Sequence, residues 1–107
     1  MKKYKLRFMF EPGGFCIWGM NNAAKEKYGY AIKNNVLPIS NETIIKLDTL
    51  ESEYANYLDW NEPLNFSLWT KQQKEDFKNK ATIVYEELKE ELGHEFQIIN
   101  EVNLSFE

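Results

Sequence analysis

TKQQKEDFKNKATIVYEELKEELG, residues 70–93, is the stretch on which the fold turns. Thr70 followed by Gln73 is a capping box, in which a hydroxyl and an amide side chain satisfy two helix-end donors reciprocally. Phe77, Ala81, Val84, Tyr85, Leu88 and Leu92 then recur at helical spacing. Gly93 can take the left-handed backbone that ends a helix. The spacing predicts a helix from 71 to 92 with one apolar stripe, which has to be buried against another layer.

Working back along the chain, Ser40 is placed to cap a second helix over about residues 41–57. Ile44, Leu47, Glu51, Tyr54 and Leu58 follow helical spacing there, Ile45 and Leu50 widen the stripe, and Glu51 alone breaks it. Between the two helices, residues 59–69 mix turn formers with Trp60, Phe66 and Trp69, the composition of a loop pinned by buried rings. Asn21 or Asn22 caps a short helix over 23–28 that Gly29 can end. Residues 30–32 and 36–39 read as ordered connections, with Pro38 biasing Leu37 towards extended geometry.

The remaining elements have the period of strands. Tyr4, Leu6, Phe8 and Phe10 alternate with Lys3, Lys5, Arg7 and Met9, so residues 3–10 form a strand with one buried face. Pro12-Gly13-Gly14 turns the chain into Phe15-Cys16-Ile17-Trp18, and so short a turn implies an antiparallel hairpin. Phe96-Gln97-Ile98-Ile99 is a further strand able to return beside it, and Val102, Leu104 and Phe106 alternate weakly after it. The expected architecture is α+β: a small antiparallel sheet, made of the N-terminal hairpin and a C-terminal strand, packed against two long helices and one short one.

At 107 residues the chain accommodates one domain, and its 43% hydrophobic and 15% aromatic content is enough apolar material to offset chain entropy. The segment after the first lysines is broken at Arg7 and Glu11, leaving no signal-peptide core, and no stretch approaches the roughly 20 apolar residues that span a bilayer. Ser105-Phe106-Glu107 carries no lipidation box. Cys16 is the one cysteine, so no internal disulfide can form, and a cytoplasmic, soluble protein is expected. The formal charge of −4 is unevenly spread: residues 1–35 hold seven Lys or Arg against two Glu, and residues 36–107 six Lys against fifteen acids.

Little in the sequence points to catalysis, metal or cofactor binding. His94, the single histidine, follows Gly93 at a helix end, where a charged imidazole opposes the macrodipole. Cys16 lies between Phe15 and Ile17 in a strand and reads as an inert thiol, either buried or on the back face of the hairpin; reactivity would need help from Arg7 or Lys5. Gly13-Gly14 sits in a hairpin turn and opens no helix, so it is not a phosphate cradle. Lys and Arg interleaved with Tyr4, Phe8, Phe15 and Trp18 suggest nucleic-acid stacking, but a pI near 5.1 opposes the attraction that dominates such binding. No nucleic acid, membrane, metal or cofactor is therefore expected, and the chain is read as a binding protein rather than an enzyme.

The end of the long helix is the strongest lead to a partner. Glu86 and Glu90, like Glu87 and Glu91, are like charges four apart at a helix C-terminus, and Glu95 follows. Each such placement costs roughly a few tenths of a kcal/mol, with Lys89 the one compensating charge within the run. Helix economy would not select it, so an acidic surface kept for a basic partner is one reading; a solvated face of good helix formers is the other.

Phe15-Cys16-Ile17-Trp18, Asn22-Ala23-Ala24 with Gly29-Tyr30, Leu58-Asp59-Trp60 with Pro63 and Trp69, and Glu91-Leu92-Gly93 with Phe96 together resemble short bacterial immunity-type proteins of polymorphic or contact-dependent toxin systems. The resemblance spans nearly the whole chain and rests on packing and turn residues. It implies a cytoplasmic inhibitor, monomeric or homodimeric, that blocks the active site or substrate path of a toxin, often a basic nuclease. The contact residues would be Glu86, Glu87, Glu90, Glu91 and Glu95, with Asp59, Trp60 and Glu62 as anchors in the aromatic loop. A regulatory or scaffolding protein-interaction module is the alternative from another class.

Overall fold

Tyr4, Leu6 and Phe8 point into the core and Lys5 points out, as the alternation requires, and this strand is the centre of the molecule. A computed structural model describes residues 2–11, 14–56 and 69–106. The chain runs through β1 (Tyr4–Phe8), β2 (Ile17–Gly19), α1 (Asn22–Tyr28), β3 (Ala31–Ile32) and a 3-10 turn at Asn34–Val36. It continues through α2 (Asn41–Tyr54), α3 (Lys71–Leu92), β4 (Phe96–Asn100) and a 3-10 segment at Val102–Phe106.

The expected α+β class holds, with one correction to the sheet. β1 and β2 form the antiparallel hairpin, pairing Leu6 with Gly19 and Phe8 with Ile17, but β4 lies parallel to β1, with Tyr4 opposite Phe96 and Phe8 opposite Asn100. The sheet is mixed, in the order β3-β2-β1-β4. The reason lies in the connection. Parallel neighbours need a long crossover, and all three helices lie between β1 and β4. α3 delivers the chain to the end of the sheet where β1 begins, and there the Lys3 and Tyr4 N–H groups both donate to the Glu95 carbonyl. β3, one of the two edge strands, covers residues that the sequence presents as a connection, because two residues show no alternation. The segment read as weakly alternating near the C-terminus is a 3-10 helix.

Helix ends follow their local signals. Asn21, Ser40 and Thr70 each accept a backbone N–H with the side chain, and Thr70–Gln73 forms both halves of its capping box. α3 covers Lys71–Leu92 and stops at Gly93, whose φ of 80° only glycine adopts without strain. Gly19 serves a different purpose: a Cβ there would stand 2.7 Å from the Gly29 carbonyl oxygen and 3.3 Å from the Lys25 nitrogen. The absence of a side chain lets α1 lie directly on β2.

The inward face of the sheet and the helices share one buried cluster, in which Phe8, Phe10 and Phe77 are the largest fully enclosed side chains. Phe10 meets Phe77 edge-on at 5.0 Å, with Tyr54, Trp69 and Phe106 packed around them. The Tyr54 hydroxyl donates to the Ser105 carbonyl at 2.6 Å and the Phe10 N–H to the Ser105 hydroxyl at 2.8 Å, which ties α2 and the C-terminal 3-10 segment to the chain leaving β1.

Candidate partner-binding surface

Packing α3 against α2 brings the last turns of α3 to the first turn of α2. The two carboxylate oxygens of Glu91 accept the Ser40 N–H, at 2.6 Å, and the Thr43 hydroxyl. Glu91 is thus a second cap on α2, placed at the positive end of that helix. The Ser40 N–H first, and the Thr43 hydroxyl next, hold its carboxyl below the usual carboxylate range. One turn earlier Glu87 accepts from Lys46 at 2.8 Å, and Lys46 also meets Glu42 at 3.5 Å. The Glu87 hydrogen bond is the main cause of a raised Lys46 pKa.

Of the residues singled out at this helix end, Glu87, Glu90 and Glu91 line one shallow hollow. Glu42 joins them from α2, with Ser40, Thr43 and Lys46. Four carboxylates face one lysine, a surplus of three negative charges, and Glu90 forms no ion pair among the described residues. Glu86 lies outside this hollow and pairs with Lys89 at 3.3 Å. Glu95 is elsewhere, lining a second hollow with Tyr4, Lys27, Tyr28 and His94. Asp59, Trp60 and Glu62 lie outside the described residues, as does Leu58. Glu42 was not anticipated. Its place in the first helical turn was legible, but its approach to a residue far along the chain was not.

Next to the hollow, α2 and α3 leave an apolar groove of about 310 Å³. Leu50 and Val84, both buried, form its floor, while Ile45 and Ile83 stand 63% and 62% exposed on its walls. The Lys46–Glu87 and Lys80–Glu53 ion pairs, at 2.8 and 2.7 Å, line it with charge. Ile45 was expected on the core stripe of α2. Leu47, Leu50 and Tyr54 occupy that face as expected, joined by Thr43, and two residues on from Thr43 a helix has turned more than half-way round.

Cys16 is fully buried, and burial, with Glu51 as the next cause, pushes its thiol well above the usual range, so it stays protonated. Asn34, also buried, donates to Asp48 at 2.9 Å and Glu51 at 3.0 Å, and burial raises the Glu51 carboxyl. No group of three or more His, Cys, Asp or Glu able to hold a metal occurs among the described residues. Tyr4 and Phe8, considered for base stacking, are core residues. Of the six ion pairs among the described residues, only Arg7–Glu101 joins the cationic N-terminal part to the acidic remainder. Short of ion pairing, Lys27 lines one hollow with Glu95 and Lys33 another with Asp48 and Glu51, so folding sets part of the cationic segment beside acidic groups.

These features define a small α+β domain whose distinctive chemistry lies on an open surface. The sequence profile of the Serratia CdiI immunity protein-like family matches residues 4–101, and the chain belongs to that family. No curated protein matches it. Membership makes it an immunity-type protein, whose general role is to bind and neutralise a toxin protein. None of the helices among the described residues is long and apolar enough to cross a membrane.

Proposed function

We propose that this chain is a non-catalytic, cytoplasmic inhibitor that docks its acidic α2/α3 end on a basic toxin domain, with a nuclease as the best-fitting class, and covers the active site or substrate path. The observation that carries this reading is the surplus of three negative charges in the hollow, where Glu91 is fixed as a helix cap and Glu87 by Lys46. Fixed carboxylates need little reordering on contact, and uncompensated ones draw in a cationic partner. Glu90, unpaired among the described residues, and Glu86, paired with Lys89 of its own helix, extend the negative surface from α3, so they can be changed without breaking an ion pair between elements. The paired substitution Glu86→Lys and Glu90→Lys should slow association with the cognate toxin domain about tenfold at low salt. Stopped-flow or surface-plasmon measurements at several salt concentrations read this out, and an association rate unchanged by the substitutions rejects the acidic contact.

A further inference from the structure

We infer that the α2/α3 groove is the apolar centre of the toxin-binding surface, taking apolar side chains from a partner segment flanked by Lys or Arg; this rests on the toxin-binding reading above. Ile45 and Ile83 project from neighbouring helices over a floor of Leu50 and Val84, so the four make one patch and not scattered exposures. Nothing in the helices calls for them. β-branched residues are weaker helix formers than the Glu, Lys or Gln that would serve a solvated position, and exposed isoleucine gains nothing from the hydrophobic effect.

The surroundings of the patch select the occupant. Its two lysines are both engaged, Lys46 by Glu42 and Glu87 and Lys80 by Glu53, while the adjoining hollow keeps its negative surplus. An apolar centre with a charged rim is the anatomy of a protein interface, and here the rim calls for cations. A second copy of this chain fits poorly. Docked face to face about a two-fold axis, it would set the acidic hollow against its own copy and offer from the groove only the same engaged lysines.

The test uses the full chain and its cognate toxin domain, with affinity measured by calorimetry and association state by light scattering. Ile45→Asp with Ile83→Asp should weaken binding at least about a hundredfold, because two charges enter the desolvated centre of the contact. Thermal midpoint and circular dichroism should stay close to the parent, since both side chains are mostly in solvent. Ile45→Thr with Ile83→Thr keeps the branched shape and should weaken binding to a lesser degree, and it replaces the aspartates if they impair folding. Affinity within about twofold of the parent for a folded variant overturns the groove and leaves the toxin-binding reading standing. A parent that does not bind the toxin overturns both. A parent dimer that the aspartates dissociate assigns the face to self-association and overturns the cationic partner.

Discussion

Glu91 carries a carboxylate to the end of a helix 51 residues away from the cap it completes, and its titration follows from that position. Its folded pKa is lowered, so the stabilisation is present above the ordinary carboxylate range and is lost as pH falls through the lowered folded value. Glu91→Ala should cost about 0.5–1 kcal/mol at neutral pH, at the modest end for a cap because the site is open to solvent and screened. Urea unfolding of both proteins should show that gap closing in acid; an equal gap at both pH values contradicts the assignment. Cys16 gives a second residue-scale prediction. With no exposure and a raised pKa, it should resist a thiol reagent in the folded protein and react fully only on unfolding. Its neighbours Phe15 and Ile17 leave open whether it is buried or on the back face of the hairpin, and the Asn34, Asp48 and Glu51 groups around it come from elements it meets only on folding.

At the scale of elements, agreement between sequence and structure depends on how local the signal is. α3 was readable from end to end because its cap, stripe and terminator all act within one or two turns. α2 begins where Ser40 indicates and buries Leu47, Leu50 and Tyr54 of its stripe, but Ile45 falls outside it and Thr43 inside, since a threonine can occupy a core face when its hydroxyl has a partner. Gly19 carried no sequence signal at all, although the contact of α1 with β2 depends on it. Gly19→Ala should destabilise the fold by about 1–3 kcal/mol, the usual range for overpacking a close contact, because the obstructing atoms are backbone. Chemical denaturation measures this. A neutral effect would show that α1 can lift from the sheet at no cost.

For the whole molecule, the distribution of charge has consequences at a distance. Among the described residues five of the six ion pairs form within residues 36–107, and the hollow between α2 and α3 keeps its surplus of three negative charges. A partner of opposite sign is then guided before contact, and the effect falls as salt shortens the Debye length, from about 30 Å at 0.01 M to about 10 Å at 0.1 M. Association of the unaltered chain with its toxin should therefore slow steeply with salt, and the Glu86→Lys, Glu90→Lys protein should show a shallower slope. The Ile45 and Ile83 substitutions should act the other way, raising dissociation and leaving the salt slope of association in place.

The amino-acid order alone determined the α+β class, the ends of the helices, the inward face of β1 and the acidic end of α3. Each of these is written in hydrogen bonds a few residues long or in side-chain periods of 2.0 and 3.6. Tertiary structure decided the parallel placement of β4, the capping of α2 by Glu91, the entry of Glu42 into the hollow and the exposure of Ile45 beside Ile83. These depend on how one helix is rotated and set against another across a long stretch of chain, and that geometry comes from packing the whole core at once.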